Sequence, residues 1–474
     1  MVYSLHTVLA VAKKHSFYDQ SVTYPPDIDA IQTVVEQSEA DEQPEGLASW
    51  PLLYKKTLYS TIQRLINDTS PQNTFRQAIY ASITGGGRGA QPLFFATDVE
   101  ENRLQRAGYG KLLAKTGILK RGDWVVTVHS AGGLYRALDL VMEVSESAGA
   151  CALGAGNYMP PAEVWQLVMQ YQANVLAGDS SQIVNLVNHL SALSAEDRGR
   201  IRLDKIIYTS EVLTGAQRAH IRATLGDGVV ICSMLASAEA GPWAVSNSAL
   251  TGHRTTTSSD FIYDARTMAV EIFPNSVVDK EDSSSSAAQP PPPPPPSPPL
   301  PDGETGAIVL TSLCRLRNPL VRYMSGDIGS LHPLPEAARH LVDEAERPHL
   351  RVLRLEGRDR RFSFDWEGEY VEFTSLAAIV EDEKYAILQW QAIIENKAQD
   401  KEALRPILEL RMLPSTASRG NEALLTELVD RVKVLIEMAP YNQDRFVPVF
   451  LDNLDGFERS NTGRKVIKFI DRVS

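Results

Sequence analysis

The sequence predicts an α/β protein: a large N-terminal domain of layered α/β subdomains, then a smaller α+β C-terminal domain. Three observations lead there. Before residue 280, short β-branched runs alternate with stretches carrying apolar residues every three or four positions, the pattern of strands separated by helices. After Gly357 the pattern contracts to a few strands and one long helix. The 474 residues also exceed what a single core usually holds, so two domains are expected, residues 1–355 and 356–474.

The elements follow in order. Leu5, Val8, Leu9 and Val11, ahead of Lys13 and Lys14, have helical spacing without a basic leader or a cleavage-type ending, and read as an amphipathic surface helix. Residues 124–128 read as a buried strand after the turn Arg121-Gly122-Asp123, and 206–209 and 229–232 read likewise. Residues 162–171 and 180–193 carry helical spacing between them. Residues 281–300 hold a serine tract and then unbroken proline from Pro290 to Pro296. Proline lacks a backbone donor and favours extended polyproline II, so this stretch reads as a disordered, solvated insertion between flanking strands. In the second domain, strands are expected near 370–373, 386–394 and 447–451, with a helix over 421–437.

Charge and cysteine content exclude several classes. With 47 Lys+Arg against 59 Asp+Glu, the net charge of -12 opposes nonspecific binding to nucleic acid or to an anionic membrane. Cys151, Cys232 and Cys314 are far apart and lack CxxC spacing, which argues against a disulfide framework or a thiolate zinc site and for a reducing compartment. No apolar run approaches the ~20 residues of a bilayer-spanning helix. A cytoplasmic location is expected. Arg472-Val473-Ser474 does not match the Ser-Lys-Leu peroxisomal address. Gly178-Asp179-Ser180 lacks the Gly-x-Ser-x-Gly elbow of a hydrolase.

Arg322-Tyr323-Met324-Ser325-Gly326-Asp327, followed by Gly357-Arg358-Asp359, carries the chemistry. These motifs resemble those of the adenylate-forming (acyl/aryl-CoA synthetase) superfamily. The upstream runs Gly303-Glu304-Thr305-Gly306 to Ser312 and Asn318-Pro319-Leu320-Val321 resemble the phenylacetate–CoA ligase branch in particular. Segments 154–157 and 174–178 extend that likeness. The resemblance implies a large adenylate-forming domain with a small mobile lid, and it implies roles for particular residues. Asp327 would hold the ribose hydroxyls of ATP, and Arg358 would mark the hinge. Asp359 stands one place early in the hinge motif, or Arg360 replaces its acid.

Thr84, Gly85, Gly86, Gly87, Arg88 and Gly89, ahead of Pro92, lie where the superfamily has its phosphate loop. Glycines let backbone amides approach phosphate closely, although a glycine cluster alone is only a flexible turn. Gly87 and Arg88 replace the usual hydroxyl residues, and the Arg88 guanidinium suits phosphate oxygens. Leu235-Ala236-Ser237-Ala238-Glu239 aligns with an aromatic-Gly-x-Thr-Glu motif. By resemblance Glu239 binds Mg2+, which neutralises the triphosphate, while Ser237 and Ala238 line the nucleotide. Ala238 and Leu235 have lost the motif's hydroxyl and its aromatic ring. Glu211 resembles the acid of the adenine loop; the alternative is an acid favoured near a helix N-terminus.

His129, Ala131 and Gly132 mark the expected acid pocket, with a purely structural histidine as the alternative. In Ser460-Asn461-Thr462-Gly463-Arg464-Lys465, either Arg464 or Lys465 matches the lysine that stabilises charge between carboxylate and α-phosphate. An ordinary basic tail is the alternative.

The expected activity is ATP-dependent carboxylate activation through an acyl-adenylate, followed by transfer to coenzyme A. Transfer to an amine or alcohol, or a catalytically degenerate ligand-binding homologue, are the alternatives. Expected partners are a small carboxylic acid, ATP with Mg2+, and coenzyme A, without nucleic acid or membrane; a homodimer is left open.

Overall fold

The protein is described by a computed structural model covering residues 2–39, 46–83, 94–132, 134–209, 213–252, 259–277, 298–358, 363–366, 369–395, 406–438, 442–459 and 465–472. An eleven-stranded sheet organises the first three-quarters of the chain. Its spatial order is Met268–Phe273, Gly306–Ser312, Tyr323–Pro333, Leu350–Arg358, Ser259–Asp264, Gly241–Val245, Val230–Ser237, Lys205–Thr209, Val175–Asp179, Trp124–Thr127 and Cys151–Gly154. Strands from Val230–Ser237 through Cys151–Gly154 are parallel, and the rest of the sheet is antiparallel. Val230–Ser237 is therefore where the two halves meet.

The parallel half follows from sequence. Val125, Val126, Val175, Leu176, Ile206 and Ile207 are buried, as strands covered by helices on both faces must be. Helices Pro161–Gln170 and Ser180–Ser191 cover the face of Val126, Leu176 and Ile206, and helices Val99–Lys115 and Ala137–Ser147 cover that of Val125, Val175 and Ile207. Helix Ser180–Ser191 begins with a capping box in which Asp179 and Gln182 satisfy each other's backbone. The strands flanking the Ser/Pro insertion, Met268–Phe273 and Gly306–Ser312, pair antiparallel from Met268 opposite Ser312 to Phe273 opposite Ala307. The insertion itself lies largely outside the described residues.

The expected N-terminal surface helix is a helix, Leu5–Ala12, but not a surface one. Val8, Leu9, Val11 and Ala12 are fully buried in a cluster with Ile31, Val34, Trp50 and Val321. A second helix, Ile28–Glu39, covers the face that would otherwise meet water.

The C-terminal unit is a four-stranded sheet in the order Phe446–Phe450, Ile407–Pro414, Ile387–Glu395 and Phe469–Asp471. Helices Phe373–Val380 and Glu422–Leu435 close over it around Trp366, Trp390, Leu428 and Val432. Leu388, Leu413, Leu454, Phe457 and Val466 leave that core and join the large domain's, against residues such as Ile183, Leu213 and Ile221. This apolar seam sets the small unit over the ends of the parallel strands. Among the described residues, no helix is long and apolar enough to cross a membrane.

Candidate active site

Thr127, Thr209 and Ser237 end three of the parallel strands, the edge where ligands bind in open α/β sheets. His129 sits just beyond Thr127 and is buried. Its Nδ1 pairs with Thr127 Oγ1 at 2.9 Å, and its Nε2 with Thr209 Oγ1 at 3.0 Å. Both ring nitrogens are thus engaged by hydroxyls, so the ring ties two strand ends together rather than facing a substrate carboxylate. Burial first, and the nearby Lys465 ammonium second, push its pKa down to about 3. The imidazole is neutral at physiological pH.

Lys465, from the small unit, thus acts electrostatically on a residue at the strand ends of the large one. Lys465 is half-buried, and the next residue, Val466, is anchored in the shared apolar seam. The neighbouring Ser130 hydroxyl is buried with no partner among the described residues. Ala131 and Gly132 form an exposed hairpin with Tyr135 and Arg136, turned by Gly132 at φ 90° and Leu134 at φ 67°. Leu134 is left-handed without being glycine, and its side chain is exposed.

Glu239 lies in the turn after Val230–Ser237 and is buried. Its Oε1 accepts the Tyr59 hydroxyl at 2.8 Å and lies 3.3 Å from Lys55 Nζ. Burial opposes its ionisation, but the Lys55 charge and the Tyr59 bond prevail and hold the carboxyl below its ordinary value. The turn is rigid. Arg315 donates to the Glu239 carbonyl, Gln105 donates to the Ala240 carbonyl at 2.8 Å, and the Ser237 hydroxyl accepts the Ala240 N–H at 2.9 Å. Ala238 packs partly buried against the adjoining core.

The Asp327 motif is a tight turn in the strand Tyr323–Pro333. Gly326 adopts φ 78°, and Ser325 Oγ donates to the Ile308 carbonyl at 3.0 Å while accepting the Asp327 N–H at 3.1 Å. Across the ladder Asp327 faces Arg358, and Ile328 faces Gly357. The two motifs read separately along the chain are neighbours on adjacent strands. Arg322 is structural: buried, it donates to Glu271 from Nε at 2.9 Å and Nη2 at 2.5 Å, and to the Trp50 carbonyl at 2.8 Å.

Residues 53–59 link these sites. Leu53 exchanges backbone bonds with Arg322 and Met324, at 2.8 and 3.0 Å. Helix Lys55–Asn67 follows at once and carries Lys55 and Tyr59 to Glu239, and the Tyr59 ring packs edge-on against Phe95. Sequence reasoning missed both residues. A weak signal existed, because Lys55-Lys56 in a helix's first turn opposes the macrodipole and favours a nearby anion.

Thr84, Gly85, Gly86, Gly87, Arg88, Gly89, Glu211 and Arg464 lie outside the described residues, and Arg358 is described in its backbone alone. Among the described residues no cluster of three or more His, Cys, Asp or Glu side chains could hold a metal. Mg2+ commonly takes one or two carboxylates and completes its shell with phosphate and water, so one ionised Glu239 fits it. The ion would share that carboxylate with Lys55.

No family model matches the sequence, and no curated protein does. Among solved structures, the chain resembles 2-hydroxyisobutyryl-CoA ligase in complex with 2-HIB-AMP in the postadenylation state, with a TM-score of 0.62, 16% identity, and coverage of 98% of this chain and 87% of the other. An open conformation of that ligase with 2-HIB-AMP and CoA gives 0.53 at 16% identity, over 98% and 89% of the two chains. Its thioesterification state also gives 0.53 at 16% identity, over 98% and 87%. The likeness establishes a shared two-part fold.

Proposed function

We propose that this chain, built on the fold of the adenylate-forming enzymes, activates a carboxylic acid with ATP and transfers the acyl group to coenzyme A. The reading is an AMP-forming acid–thiol ligase of the phenylacetate–CoA ligase kind. The observation that supports it is the packing of Val466 in the seam between the two units, next to Lys465, whose charge acts on His129 at the strand ends.

In the first step a carboxylate oxygen bonds to the α-phosphorus as the bond to the β-phosphate oxygen breaks, releasing pyrophosphate. Lys465, or Arg464 beside it, stabilises the negative charge that builds there. Asp327, held by Ser325 and Gly326, accepts from the ribose hydroxyls. Glu239 is ionised and oriented by Tyr59, and Lys55 adds positive charge at the same oxygen. Mg2+, when bound at Glu239, supplies further charge neutralisation of the triphosphate. Loop 84–89 would contact the phosphates, with Glu211 near the base and Ser237 and Ala238 lining the nucleotide. Ala131 and Gly132 would border the acid pocket.

In the second step the thiol gives up its proton to solvent and its sulfur bonds to the acyl carbon as the bond from that carbon to the AMP phosphate oxygen breaks, releasing AMP. Rotation about a hinge at Gly357-Arg358, with domains at 1–355 and 356–474, would admit the thiol. The higher overlay on the postadenylation state supports reading the present pose as the first-step arrangement. A cytoplasmic enzyme acting on a small acid fits the acidic charge balance.

The test is ATP–pyrophosphate exchange over a panel of aryl and fatty acids, with CoA added or withheld. Exchange with CoA ester formation is expected. Exchange without an ester redirects the second step to an amine or alcohol, and no exchange with any acid rejects the enzyme reading in favour of a ligand-binding protein.

A further inference from the structure

Helix Gly215–Leu225 opens with a capping box: the Thr214 hydroxyl accepts the Gln217 N–H at 3.2 Å, and Gln217 Oε1 accepts the Thr214 N–H at 2.9 Å. That leaves the Gln217 amide nitrogen for another purpose. Gln217 is buried, and its Nε2 donates across the seam to the backbone carbonyl of Leu388 in the small unit.

Leu388 is an unusual residue to meet. In the pairing of Ile387–Glu395 with Ile407–Pro414, Ile387 faces Pro414 and Gln389 faces Leu413, so Leu388 is the extra residue of a bulge. A bulged residue falls out of the regular ladder, and a buried carbonyl left without a donor is costly. Leu388 is fully buried, and Gln217 supplies the donor from the other unit. Two residues earlier in the same turn, Gly215 lies against the exposed Glu383 side chain of the small unit.

The rest of the seam is aliphatic and aromatic: Leu388, Leu413, Leu454, Phe457 and Val466. Such contact is strong but non-directional, and it tolerates sliding. A directional bond to one carbonyl does not. We propose that Gln217 is the positioning residue that latches the small unit in this pose, and that through the seam it sets Lys465 beside His129. The inference rests on the adenylation reading for its catalytic meaning, but the latch itself is a statement about pose.

The experiment is a distance measurement between spin labels at Asp227→Cys and Glu422→Cys in the full chain carrying Cys151→Ser. One dominant distance is expected in this labelled parent. Gln217→Met, which keeps the volume and loses the amide, should add a second population. Thr214→Ala, which removes the capping hydroxyl but keeps the amide bond to Leu388, should leave the parent distribution. Unchanged distances in Gln217→Met would overturn the proposal. So would a Thr214→Ala chain as broad as Gln217→Met, since helix capping alone would then account for the effect. Exchange assays run separately: where the parent exchanges pyrophosphate, Gln217→Met should lower kcat about tenfold or more with KM for ATP little changed. An inactive parent would sink the adenylation reading and leave the distance result standing.

Discussion

Lys55 Nζ lies 3.3 Å from Glu239 Oε1, on the same oxygen that receives the Tyr59 hydroxyl at 2.8 Å. A buried carboxylate is thereby kept ionised by one partly exposed ammonium and one buried phenol. Removing the ammonium strands the charge. Lys55→Met should cost about 1–3 kcal/mol, below the full penalty for a buried pair because Lys55 is half exposed. Adding Glu239→Gln should recover part of it, since a neutral amide still accepts from Tyr59. Urea unfolding of the two single variants and the double variant measures this coupling; simple additivity would show that the pair is not coupled.

Asp327 is held in its turn by the Ser325 hydroxyl and by Gly326 at φ 78°. Asp327→Ala should reduce ATP–pyrophosphate exchange by about 10–100-fold, the loss of a charge-assisted hydrogen bond. Folding should be affected little, because Asp327 is not a buried core residue. Intact exchange in that variant would remove the basis for the nucleotide assignment.

Lys465→Ala should lower the rate of adenylate formation by about 10²–10³-fold while leaving ATP binding largely in place. The same substitution should raise the His129 pKa modestly from about 3, because burial is the larger cause of the depression and Lys465 the smaller. Rapid-quench kinetics reads the first effect and imidazole NMR the second. A drop in activity with no change at His129 would mean that Lys465 acts elsewhere.

Acid should destabilise the fold through two histidines. His15 is buried with Nδ1 accepting the Phe17 N–H at 3.1 Å and Nε2 donating to the Arg317 carbonyl at 3.1 Å, and burial pushes its pKa, like that of His129, down to about 3. Each folded pKa lies below its unfolded value of 6.5, so their contribution is complete above pH 6.5 and is lost as pH falls toward 3. Each adds a slope of at most about 1.4 kcal/mol per pH unit. Glu101 works oppositely: burial raises it to about 7, so its contribution is present below 4.5 and lost as pH rises through 7. Two histidines outweigh one carboxyl. Unfolding midpoints measured from pH 7 to 4.5 should fall, and more steeply in Glu101→Gln; a flat profile in both chains would refute the argument.

Much of the fold was legible because it rests on local rules. Alternating β-branched runs marked Trp124–Thr127 and Lys205–Thr209, and helical spacing marked Pro161–Gln170 and Ser180–Ser191. The turn at Ser325-Gly326-Asp327 was legible only through the resemblance, and the structure supplies its reason in Gly326 at φ 78°. The N-terminal helix was readable as a helix but not as a buried one, since burial depends on Ile28–Glu39 folding back over it. His129 looked like a pocket residue, and only Thr209 arriving on another strand shows that its second nitrogen is engaged.

The sequence by itself determined which motifs exist, their order, and the resemblance they carry, because each depends on a few adjacent residues. Tertiary structure decided their partners. Asp327 faces Arg358 because two antiparallel strands adopt one register, Tyr59 reaches Glu239 across 180 residues of chain, and Gln217 meets a carbonyl freed by a bulge in the other unit. Such pairings depend on which elements become neighbours, and the apolar burial that brings them together is proportional to area and indifferent to sequence separation.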